Sequence, residues 1–116
     1  MSRKTINTHI VLGKLKEAPE LTKNNSRYFA NIILITEMPI YKEGENKIIN
    51  EWHRVVLSNE HAIKINEIGY PGMLIKVIGP QRTRRYVNKN GKNIYIMELK
   101  AHTMELVDSE NKDLFD

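Results

Sequence analysis

Residues 51–57 read EWHRVVL, and the way this stretch alternates decides the fold. It holds the single tryptophan of the chain, next to a histidine, an arginine and a run of aliphatics. Successive side chains of a strand point to opposite faces. His53, Val55 and Leu57 therefore share one face, and Trp52, Arg54 and Val56 share the other. A buried arginine needs a partner, so the Arg54 face is the wet one, and Trp52 faces outward with it.

Periodicity and turn residues divide the rest of the chain around this strand. Ile6 to Leu15 is predicted as the first strand, and the polar stretch Glu17 to Arg27 as a loop or hairpin. Tyr28 to Thr36 is apolar and rich in β-branched residues, and reads as the second strand. Met38 to Asn50, with Pro39 and Gly44, reads as a long charged connection. After Leu57, Ser58 is placed to cap a helix with its hydroxyl, and Glu60 lies in the first turn, where the dipole favours an acid. Ala62, Ile65 and Ile68 mark the buried face of this helix, and Gly69, Pro71 and Gly72 end it. Leu74 to Tyr86 is a fourth strand, bent at Gly79-Pro80. Asn90-Gly91 supplies the positive backbone angles of a tight reversal. Ile94 to Leu106 is the fifth strand, with Tyr95, Met97, Leu99 and Ala101 read as core and Glu98 and Lys100 outside. Three strands, a helix and two strands is the element order of the OB-fold. The expected class is all-β, a five-stranded Greek-key barrel with one α-helix between strands three and four.

The chain has 116 residues, 41% of them hydrophobic, which suits one compact domain. No apolar stretch approaches a membrane span, and MSRKTINTHI does not read as a signal peptide. The absence of cysteine excludes disulfides and thiolate metal sites and fits a reducing compartment. Of the net charge of +4, residues 108–116 (DSENKDLFD) carry −3 and the remainder +7. A basic body with an acidic tail favours a polyanionic partner for the body. The division expected is a domain over 1–107 and a short acidic tail over 108–116.

If the parity of the fourth strand survives Pro80, Arg82, Arg84 and Tyr86 form a basic, aromatic stripe to join Trp52 and Arg54. Arginine pairs with phosphate, and aromatic rings stack on unpaired bases. Duplex DNA hides its base faces, so the combination points to single strands. The bland alternative is a solvated basic face whose aromatics pack on arginine stems or at a subunit contact. His9, His53, His61 and His102 are scattered without metal-ligand spacing, and no nucleophile motif or phosphate-binding glycine loop occurs. No enzyme, metal or cofactor is expected.

NTHIVLGKLKEAPE, EWHRVVL and GPQRTRRY, in this spacing, resemble the bacterial single-stranded DNA-binding proteins over Ile6 to Val107. Leu12-Gly13-Lys14-Leu15 followed by Ala18-Pro19-Glu20 matches the family's opening. Trp52 to Val56 matches its tryptophan-histidine-arginine-valine-valine run, and Arg82-Thr83-Arg84 before Arg85 and Tyr86 its basic-aromatic run. Gly91 matches the glycine of the following hairpin. The resemblance implies a homotetrameric OB-fold that binds single-stranded DNA without sequence preference, in replication, recombination or repair. It implies no catalysis and no cofactor. Trp52 and Tyr86 match stacking positions, and Arg54, Arg82, Arg84 and Arg85 match basic positions near the DNA. The first strand, with Asn7, His9 and Val11, corresponds to a dimer-forming strand, and His53 matches a histidine of subunit contacts. The resemblance also implies a cytoplasmic, nucleoid-associated protein.

The chain departs from that pattern in three places. Ser58 stands where an aromatic often follows the third strand. Met38-Pro39 stands near an expected tryptophan, with Tyr41 the nearby aromatic. The acidic end DLFD places Phe115 one residue before the terminus, where the family's partner-recruiting tip ends in phenylalanine. Two other readings remain open. One is a dimeric OB-fold like the primosomal replication proteins. The other is a protein-only assembly module in which Trp52 is buried at an interface and indifferent to DNA.

Overall fold

The computed structural model describes residues 4–107; the acidic tail and its DLFD end lie outside the described residues. The elements are β1 (His9–Leu15), β2 (Glu20–Asn24), β3 (Arg27–Lys42), β4 (Glu45–Ser58), α1 (Asn59–Ile68), β5 (Leu74–Gly79), β6 (Gln81–Val87), β7 (Asn93–Lys100) and β8 (Thr103–Val107). Strand order in the sheet is β6-β7-β4-β3-β1-β5-β8, with β2 hydrogen-bonded to β3. This is the expected OB-fold barrel with its helix between the third and fourth principal strands. Five predicted strands become eight for local reasons. Pro80, which has no N–H to donate, separates β5 from β6, and Ala101-His102 separates β7 from β8. The polar stretch after Glu17 yields the short strand β2.

The alternation in β4 holds. Val55 and Leu57 are fully buried, and Trp52 is 61% exposed. Leu34, Ile32 and Ala30 of β3, Ile75 and Val77 of β5, Leu15 and Leu99 complete the interior with Ala62 and Ile65 of α1. Ile68 was expected on that helix face, but it is the last helical residue and is 44% exposed. Two glycines let strands cross closely. A Cβ on Gly13 would lie 2.8 Å from the Ile35 carbonyl oxygen, and one on Gly79 would lie 2.0 Å from that of Lys100.

Several local expectations are corrected. Met38 to Asn50 is no loose connection. It is a two-stranded ribbon, paired from Glu37↔Asn50 to Lys42↔Glu45 and closed by Glu43 (φ 55) and Gly44 (φ 77). Two residues with positive φ match the twist of a tight hairpin, and a proline is tolerated on the free edge. Ser58 makes no side-chain cap. It is still in extended conformation at the end of β4, paired with Phe29, and the chain turns at Asn59 (φ 51). In the β6–β7 hairpin only Gly91 has positive φ, because the loop closes on Asn88, whose Oδ1 accepts from the N–H groups of Asn90 and Lys92 at 2.9 Å. Tyr95 (64% exposed) and Met97 (59%) have the parity of core residues but are not core. β7 pairs with β4 only at Val55↔Leu99 and Val56↔Lys100, so the hairpin beyond projects past the barrel.

Candidate nucleic-acid interface

Strand register assembles the outer face. Trp52 pairs with Ile35, Arg54 with Ile33 and Val56 with Asn31. Val56 also lies beside Lys100. On the projecting hairpin, Arg82 pairs with Glu98, Arg84 with Ile96 and Tyr86 with Ile94. Directly paired residues share a face. Trp52, Arg54, Arg82, Arg84 and Tyr86 therefore stand on one continuous surface, and all five are exposed. Arg85 pairs with Tyr95 on the other face of the hairpin, yet it borders the hollow flanked by Arg82, Arg84, Phe29 and Lys100.

Several of these groups are held within the chain. Lys16 Nζ sits 4.5 Å from the centroid of the Trp52 ring. Arg84 Nε donates to Glu98 Oε1 at 3.2 Å, and its guanidinium lies 6.0 Å from the Tyr86 ring. Lys14 pairs with Glu37 at 3.5 Å. These pairs are exposed on at least one side, so each is weak and open to exchange. The guanidinium groups of Arg54 and Arg82 make no hydrogen bond or ion pair among the described residues. Beside Arg54 a hollow of about 390 Å³ runs under the β1–β2 connection, with Glu17, Glu20, Asn31, Arg84 and Glu98 on its walls.

The structure adds Lys14, Lys16, Phe29 and Glu98 to the residues singled out from sequence. Lys14 and Phe29 had a signal in strand parity, but only strand pairing places them: Lys14 pairs with Ile35, the partner of Trp52, and Phe29 pairs with Ser58, two residues from Val56. Tyr41 is 73% exposed near the ribbon tip and keeps the parity of Ile35, the partner of Trp52.

The four candidate interface residues separate. His9 is exposed and pairs with Gly79. His53 is half-buried, with Nε2 2.8 Å from Thr36 Oγ1. Val11 is buried within the single chain, at 9% exposure. The Asn7 carboxamide is used inside the chain. Its Nδ2 donates to the Gln81 carbonyl at 2.7 Å, and its Oδ1 accepts from the Gln81 N–H at 3.0 Å. One edge of β1 pairs with β5 along its length, but on the other edge pairing with β3 is confined to Lys14 and Leu15. That leaves the backbone of residues 9–12 without a strand partner on one side.

Among the described residues, no group of three or more His, Cys, Asp or Glu could hold a metal ion, and no helix is long and apolar enough to cross a membrane.

A sequence model described as the single-strand binding protein family matches residues 6–107. Single-stranded DNA-binding protein 1 of Staphylococcus aureus strain MSSA476 is 23% identical over 108 residues, covering 93% of this chain and 69% of that protein. The single-stranded DNA-binding protein of S. aureus strain MW2 gives the same identity and coverage. Among solved structures, a Plasmodium falciparum SSB complex with ssDNA superposes with a TM-score of 0.80 at 21% identity, over 93% of this chain and 100% of that one. A deletion mutant of the Thermus aquaticus single-stranded DNA binding protein gives 0.77 at 19% identity, over 90% of this chain and 51% of that one. At these identities the superpositions speak for the fold.

Proposed function

The chain belongs to the single-strand binding protein family, and from that membership we propose that its outer β4–β7–β6 face holds single-stranded DNA. One observation carries the assignment to this face. Trp52 stands 61% exposed beside the unpaired Arg54, on the same surface as Arg82, Arg84 and Tyr86. A base stacks on Trp52 after displacing Lys16, whose ammonium is then free for a phosphate. Stacking tolerates any base, so binding does not require a particular sequence. The role is binding and protection during replication, recombination or repair, without a chemical step, in the cytoplasm with the nucleoid.

The test uses the lone indole. Titration with oligo-dT is expected to quench Trp52 fluorescence, less at high salt, and duplex DNA is expected to leave it unchanged. An indole indifferent to every DNA would place Trp52 at a protein contact and favour an assembly module. Replacing Arg84 by methionine should weaken binding to homothymidine. It should also flatten the plot of log affinity against log salt by about 0.7, the counterion release of one single-strand phosphate contact. An unchanged slope would remove Arg84 from the phosphate path.

We also propose a homo-oligomer, supported by the open edge of β1 and the exposed His9 beside it. A second β1 running antiparallel would satisfy the outward backbone groups of residues 9–12. A tetramer follows the family, and a dimer remains the alternative architecture.

A further inference from the structure

We propose that the hollow beside Arg54 is a base pocket that prefers guanine, an inference that deepens the single-strand reading and rests on it. The hollow is about 390 Å³, roomy enough for a base, and it opens on the face that carries Trp52. Its walls are chemically divided. Arg54 and Arg84 supply donors, and Glu17, Glu20 and Glu98 supply acceptors. Glu98 is engaged by Arg84 at 3.2 Å. The carboxylates of Glu17 and Glu20, both exposed, make no hydrogen bond or ion pair among the described residues and border the pocket unpaired.

In a cleft for a polyanion, free carboxylates repel the phosphates. What they favour is a neutral group with paired donors. A base in a single strand exposes its Watson–Crick edge. Guanine offers N1–H and N2–H₂ side by side on that edge, a fork that fits the two oxygens of a carboxylate. Its O6 and N7 accept from an arginine, the commonest base-specific contact. Thymine presents one N–H between two carbonyl oxygens, which a carboxylate repels. Cytosine and adenine each set an amino group beside a bare ring acceptor. Only guanine satisfies acidic and basic walls together. Binding to other sequences persists through Trp52 and the phosphates, and guanine is favoured where it reaches this pocket.

The test is competition binding by the full chain, with homothymidine oligonucleotide against the same strand carrying one central guanine or cytosine. The guanine strand is expected to bind about tenfold tighter than homothymidine, the scale of one bidentate base contact, and the cytosine strand much less so. The Glu17→Gln/Glu20→Gln double variant should bring the guanine advantage close to unity and tighten homothymidine binding, because two negative charges leave the cleft. Equal binding of the three strands by the unmodified protein overturns the pocket and leaves the single-strand reading standing. So does a guanine advantage that survives in the double variant. Failure to bind any of the strands overturns both.

Discussion

Trp52→Ala is expected to lower affinity for single-stranded DNA by about 1–3 kcal/mol, roughly one to two orders of magnitude. The loss should be similar for every sequence, because a ring stacks on any base. The fold should survive. Trp52 is 61% exposed, and its contact with the Lys16 ammonium is worth about 0.5–1 kcal/mol at an exposed site. The readout is anisotropy of a labelled oligonucleotide, beside a melting curve of the free protein. Unchanged affinity in a folded variant would end the stacking role. A change in subunit assembly without a change in affinity would make Trp52 an interface residue.

Leu57→Ala is expected to do the reverse. Leu57 stands five positions further along β4, on the opposite face, and is 0% exposed. It belongs to the interior cluster with Ala62 and Ile65 of α1 and pairs in register with Ala30. Truncating a buried leucine removes its transfer free energy and leaves a cavity, about 2–5 kcal/mol in total. Small domains hold about 5–15 kcal/mol, so the variant should unfold at clearly lower urea while its folded fraction binds DNA normally. A loss below about 1 kcal/mol would mean that the barrel closes over the gap. The two substitutions separate the binding face from the folding face of one strand.

That separation was legible in EWHRVVL because β4 is covered on one side only between Trp52 and Leu57. The same rule failed where cover is absent on both sides. In the ribbon, Met38 and Ile49 form one pair, and Pro39 and Ile48 the next, on opposite faces. Both faces meet water, so no polar–apolar alternation marks it as strand. Tyr95 and Met97 fail for a related reason. Parity gives the face of a residue but does not say whether anything packs against it. Arg82, Arg84 and Tyr86 came out together because the bend at Pro80 keeps their parity. Arg85 was drawn in by adjacency in the motif and faces the other way. The Asn7–Gln81 tie had no local signal at all, since it joins residues 74 positions apart.

The sheet order also constrains how the chain acquires its shape as it is synthesised. β1 emerges first, yet its long-edge partner is β5, and β4 finds its parallel neighbour only in β7. The β3–β4 ribbon joins chain neighbours and can form as soon as it leaves the ribosome. The barrel cannot close until Leu99 has been made to lie against Val55. Until then β1 and β4 carry open apolar edges. Contacts this distant in sequence slow folding and prolong exposure to wrong partners. The nascent chain therefore stays a ribbon with unfinished flanks through most of its translation, and the face that carries Trp52 has β3 on one flank long before β7 and β6 complete the other.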